Sequence, residues 1–162
     1  MRLGYLGFSV GMVASGIASE SSAQTATQVV RFQVNAINQI GVTGTPAPMV
    51  INSATAGSAP TSVTAGGTSY AVTTNESNQK ITASLDQTLP AGVTLEVSLA
   101  APAGAASAGT VSLSSAASDV VTGISGTASA SLPITYRLSA TPAVQMSAPA
   151  ARTVTFTIVS GT

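Results

Sequence analysis

The chain is expected to be all-β, folding as an antiparallel Ig-like β-sandwich of about eight short strands. Three observations predict this. Apolar residues recur at every second position through much of the 162-residue chain, which is the period of a strand with one buried and one wet face. Clusters of Gly, Pro, Asn and Ser punctuate these runs at short intervals, as turns between antiparallel strands do. No stretch holds a convincing 3.6-residue apolar period over three turns, so no helix is expected.

The first element is not part of that fold. Residues 1–23 read as an export signal: Arg2 supplies a positive start, Leu3 to Ala18 is an apolar, Gly-rich run, and Ser21-Ser22-Ala23 puts small residues where a signal peptidase inspects the chain. Cleavage after Ala23 would make Gln24 the first residue of the exported protein, so the expected localisation is secreted, extracellular or cell surface. A membrane anchor is the competing reading. The run falls short of the 18 or more apolar residues of a span, and Gly4, Gly7, Gly11 and Gly16 weaken it further, so no span is expected in the mature chain. Without Cys there is neither a lipid-modified cysteine nor a disulfide framework. The residues after Gly7 also lack the Glu of a type IV pilin leader.

Residues 24–162 are expected to form one domain, long enough to bury roughly two thirds of the surface that the unfolded chain exposes. Val30, Phe32, Val34 and Ala36 form its first alternating run, interrupted near Asn38 and resumed at Ile40 and Val42; Met49 to Ile51 is a short piece behind Pro46 and Pro48. Then follow Tyr70-Val72-Thr74, Ile81-Ala83-Leu85, Leu95-Val97-Leu99, Val111-Leu113, the short piece Val120-Val121, Leu132-Ile134-Tyr136-Leu138, and the closing Val154-Phe156-Ile158. If Ile81, Ala83 and Leu85 face inward together with Leu95, Val97 and Leu99, a hairpin pairing Leu85 with Leu95, Ala83 with Val97 and Ile81 with Leu99 leaves Glu96 in water. A shift by one residue would bury Glu96 without a partner. Gln87 to Val93, with Pro90 and Gly92, would be its turn.

Composition narrows function mainly by exclusion. Only 6% of residues are charged, five basic and five acidic, and removing residues 1–23 takes one of each sign, Arg2 and Glu20. A neutral domain offers no basic stripe for phosphate backbones, so nucleic acid is not an expected partner. With no His and no Cys, neither a Ser-His-Asp triad nor a Cys-His pair can be built, and the commonest zinc ligands are missing. Asp86 and Glu96 are placed on solvated surface rather than as a glycosidase pair, and no acidic calcium loop is written in the chain. Ala65-Gly66-Gly67-Thr68 lacks the Lys of a phosphate loop and reads as a turn. The expectation is therefore no enzyme, no catalytic or metal site and no cofactor. Phe32, Tyr70, Tyr136 and Phe156 share the register of core residues, which argues against an exposed aromatic platform for sugars.

"DVVTGISG", "ITYRLSAT" and "RTVTFTI", with "KITASLD" and "LAAPAGAASAG" upstream, resemble phrases shared by a group of short, uncharacterised secreted bacterial β-proteins. That resemblance implies a bacterial exported domain. In architecture the chain also resembles Ig-like fimbrial subunits of the chaperone-usher kind, whose sandwiches are finished by a neighbour's strand, although their usual disulfide is absent here. Both "TQVVRFQVNAI" and "RTVTFTIVSGT" alternate strongly. They are either the first and last strands of a self-contained sandwich or strands exchanged between copies through backbone hydrogen bonds and apolar side chains. Val30, Phe32, Val34, Val154, Phe156 and Ile158 are the candidate exchange residues. The function expected is that of a structural subunit of an extracellular filament, matrix or surface layer, a homo-oligomer joined through edge strands. The alternative is a monomeric binding module or adhesin acting through loops such as Thr43 to Pro48 and Ala100 to Ala108.

Overall fold

The computed structural model describes residues 23–145 and 149–161; the expected export signal lies, all but Ala23, outside them. The chain divides into two units, residues 1–33 and 34–162. In the first, the described residues are exposed and form no strand. The second is a sandwich of antiparallel sheets without a helix among the described residues.

Its strands are β1 (Asn38–Thr43), β2 (Val63–Thr74), β3 (Gln79–Leu85), β4 (Val93–Leu99), β5 (Ala106–Ser107), β6 (Thr110–Ser112), β7 (Ser118–Ile124), β8 (Thr127–Ala140) and β9 (Val154–Ser160). One sheet has the order β1-β2-β8-β4-β6 and the other β5-β7-β3-β9. Their inner faces meet in one core whose fully buried members are Tyr70, Val72, Ile81, Val97, Leu99, Val120, Val121, Ile124 and Ile134. Tyr70, Val72, Ile81, Val97, Leu99 and Ile134 are alternate residues of the runs read from the sequence, whereas Val120 and Val121 are consecutive, at a register shift between β7 and β3, and Ile124 lies outside those runs. Period two put one set inward, and the polar set between them went to solvent.

The inward faces of β3 and β4 are as expected, but the hairpin joining them is not. β3 pairs with β7 and β9, with Leu85 opposite Val154, whereas β4 pairs with β8 and β6, with Leu95 opposite Leu138. The segment through Pro90 and Gly92 crosses from one sheet to the other, so Ile81, Ala83 and Leu85 face the β4 residues across the core instead of along a ladder. Alternation is the same in both arrangements and cannot separate them. The Pro-rich link from β8 to β9 likewise changes sheets and joins no hairpin.

Four further expectations are corrected. Ala65-Gly66-Gly67-Thr68 is no turn: it lies within β2 at a register break opposite Tyr136 and Ile134, a bulge in which Gly67 takes φ 82°. Met49 to Ile51 is not a strand. Ala100 to Ala108 is not wholly loop, since it contributes β5. The run from Val30 to Ala36 is not a strand either, because the ladder ends beneath it. β1 begins at Asn38 opposite Thr74, where β2 stops, and the Asn75 side chain accepts from the Ile37 N–H at 2.8 Å while the Asn75 N–H donates to the Ile37 carbonyl at 3.2 Å. Beyond that clamp β2 offers no backbone to pair with.

A second irregularity explains a proline in the middle of a long strand. β8 carries an extra residue between Ser129 and Leu132, with Ser131 at φ 58°, and Pro133 follows directly. The ladder from β4 reaches only Ile134, so the missing Pro133 N–H costs no bond on that side.

Tyr70 gives the core a pH dependence. Its ring is buried and its hydroxyl donates to the Ala100 carbonyl at 2.5 Å. Burial pushes the phenol up to about 12 from an ordinary value of 10.0, and raises Tyr136 in the same direction. Folding therefore favours the protonated phenol: the contribution is fully present below the unfolded value and is lost as pH climbs through the folded one. Thermal melts should hold steady up to about pH 10 and fall between pH 10 and 12. Tyr70→Phe should flatten part of that fall and lower stability at pH 7 by about 1 kcal/mol, the net worth of the lost hydrogen bond. An unchanged alkaline slope in the variant would contradict the assignment.

Candidate assembly site

The sequence-derived candidates fall in two places with different environments. Val30, Phe32 and Val34 precede β1, and they are 73%, 91% and 76% exposed. Large apolar residues left in solvent one after another are unusual for a folded chain. Phe32 is thus corrected from core to surface. Arg31 falls on the opposite face of that alternation.

Val154, Phe156 and Ile158 lie on the inward face of β9, opposite Leu85, Ala83 and Ile81 of β3. The three β3 residues are buried, whereas their β9 partners are only partly buried and pack at the margin of the core. The difference follows from position. β3 is flanked by β7 and β9, but β9 is the last strand of its sheet and its outer edge has no ladder partner among the described residues. β9 is seven residues long and carries neither charge nor Pro, the common devices by which an edge refuses another strand.

The two ends of the sandwich are unlike. At one, which the clamp on Ile37 marks, the turn from Asn75 to Asn78 gathers neighbouring segments: the Gly126 N–H donates to the Glu76 carbonyl at 3.0 Å, and the Asn78 N–H to the Ser125 hydroxyl at 3.0 Å. The Asn38 amide donates to the Glu76 carboxylate at 2.6 Å. The chain enters the sandwich here. At the other end, where β8 finishes and β9 starts, an apolar cleft of about 850 Å³ opens. Met49, Ile51, Leu89, Val93, Leu138 and Val144 line it together with Arg152, whose Nε–H is buried without a hydrogen-bond partner.

Sequence reasoning missed this cleft because much of its apolar lining, Met49, Ile51, Leu89 and Val144, comes from connecting segments with no period. Met49 and Leu89 sit among prolines, and an apolar residue beside Pro in a connecting segment was the available signal.

The carboxylates are scattered. Glu96 pairs with Arg137 and Asp119 with Lys80, each at 3.1 Å across neighbouring strands, and such surface pairs contribute at most about 1 kcal/mol. Among the described residues no three of His, Cys, Asp and Glu gather where they could hold a metal ion. No helix of the described residues is long and apolar enough to cross a membrane. No family model, curated protein or solved structure matches the chain.

Proposed function

We propose that this chain is a secreted or cell-surface structural protein whose copies join through β-strand contacts, as a subunit of an extracellular filament, matrix or surface layer. The observation that carries the reading is the exposed alternation of Val30, Phe32 and Val34 directly before a sandwich whose own ladder starts only at Asn38. Such a segment has the side-chain pattern of a strand and lacks a sheet. Adding it to a neighbour's edge supplies the ladder and buries the apolar face together. The uncharged, Pro-free edge of β9 supports an Ig-like subunit of this kind, with Val154, Phe156 and Ile158 at an unfinished margin of the core.

Deletion of Gln24–Gln33 from the exported form tests the reading. Because those residues are exposed and form no strand, the truncated protein should keep the circular dichroism and melting temperature of the monomeric domain. It should also fail to assemble, sedimenting as a monomer where the longer form gives oligomers or filaments by electron microscopy. Unfolding on deletion would show the segment to be a strand of its own sandwich. A longer form that stays monomeric at high concentration would refute assembly.

A further inference from the structure

We propose that the acceptor for this segment is the cleft at the start of β9 in a second copy of the chain, entered head to tail; the inference rests on the assembly reading above. Among the described residues four strands lack a ladder partner on one side, β1, β6, β5 and β9. β5 has two residues and β6 three, too few for a ladder the length of the exposed alternation. β1 offers six residues, but it is the strand the segment itself leads into, so pairing there is the geometry of a symmetric dimer and not of a chain of copies. β9 offers seven, and the cleft opens beside the residues that lead into it.

The lining of the cleft matches the segment's chemistry. Val30, Phe32 and Val34 are apolar pegs, and Met49, Ile51, Leu89, Val93, Leu138 and Val144 are apolar walls. The volume of about 850 Å³ lies within the roughly 300–1,000 Å³ of cavities that enclose compact ligands. Arg152 supplies the polar element. Its Nε–H is buried without a partner, an arrangement that costs free energy until an acceptor arrives, and a strand backbone brings carbonyls at regular spacing. Arg31 alternates away from the pegs and stays at the solvent side.

Direction follows from the two ends. The chain enters each sandwich at the Asn75 end, and the cleft lies at the opposite end, so contact between them is heterologous and leaves a free segment and a free cleft at the two ends of any assembly. β9 runs from the cleft end, at Val154, towards the Asn75 end, at Ser160. A donated segment is tethered to its own sandwich by its C-terminal end, which must therefore remain at the acceptor's cleft. Its N→C direction is then opposite to that of β9, and the added pairing is antiparallel, like every other ladder in the structure.

The absence of Cys makes the test clean. Two singly substituted proteins, Val34→Cys and Met49→Cys, are mixed and oxidised, since Val34 is the peg nearest the tethered end of the segment. The expected result is a disulfide-linked dimer containing one of each, and Arg152→Met in the Met49→Cys partner should weaken the association roughly fivefold, as loss of one hydrogen bond does. A Val34→Cys protein that instead cross-links to Thr110→Cys on β6 or Val42→Cys on β1 would overturn the cleft as acceptor while leaving strand donation standing. No cross-link to any of the three, with monomers throughout by ultracentrifugation, would remove donation itself. A double variant Val34→Cys/Met49→Cys that closes only within one chain, while the mixed single variants give nothing, would place the segment in its own cleft and overturn the head-to-tail arrangement.

Discussion

Ile81→Ala is expected to lower the stability of the sandwich by about 4 kcal/mol, towards the upper part of the range for emptying an aliphatic core site. Ile81 is 0% exposed. It stands at the centre of its sheet, opposite Val121 of β7 on one side and Ile158 of β9 on the other. Removing three carbons there takes contacts from both neighbours, and two ladders hold the backbone so that the site cannot readily collapse. A domain of this size is typically stable by about 5–15 kcal/mol, so much of the margin would go. Urea denaturation should show the midpoint falling with little change in slope. Phe156→Ala, although it deletes a larger group, should cost less than the 3–5 kcal/mol of a buried phenylalanine, about 2 kcal/mol, because β9 leaves that ring partly in solvent. Equal losses at the two positions would mean that the edge of the core lies elsewhere.

The second large effect is expected at Gly44, where β1 hands over to the next segment. Its φ is +90°, and a Cβ there would stand 2.5 Å from the backbone oxygen of Gly67, in the bulge of β2. Both problems fall on one atom: a side chain disfavours the conformation, and the obstacle is backbone that cannot rotate away. Gly57 has φ +83° and nothing within 4 Å of such a Cβ, so Gly57→Ala isolates the conformational part. Gly57→Ala should cost about 1 kcal/mol, and Gly44→Ala about 3 kcal/mol, with the β1–β2 ladder displaced near Thr43. Amide hydrogen exchange at Val42 and Thr43 reports the displacement, and unchanged protection in Gly44→Ala would contradict it.

The sequence made the layer architecture legible but not the wiring. Which side of each strand faces inward is a local property, set by Ile81, Ala83 and Leu85 against Thr82 and Ser84, and it survives in the structure. Which strand lies beside which depends on where each connection leads. Gln87 to Val93 is long enough to close a hairpin or to cross the core, and residue types do not distinguish the two. β5 escaped notice because two residues cannot show a period, and the Gly66-Gly67 bulge because glycines inside a strand look like glycines between strands. The candidate exchange residues were visible through alternation alone. That Val30, Phe32 and Val34 stand in solvent while Val154, Phe156 and Ile158 sit at the margin of a core depended on the length of β2 and on β9 being an edge, neither of which alternation encodes.

The pairing of β3 with β9 also governs how this domain comes into being. Lys80 lies opposite Val159, and Leu85 opposite Val154, so one side of β3 stays open until almost eighty further residues have been made. Of the seven ladders among the described residues, only β1–β2 joins strands adjacent in the chain. Nearly every contact that rewards folding therefore waits on the closure of a long loop, which places the domain among slow folders, on the order of milliseconds to seconds. During synthesis β3 would emerge with both its flanks unfilled; β7 fills one of them first, and β9, at the edge of the sheet, fills the other last. A chain wired this way completes its second sheet only when residues 154–160 arrive.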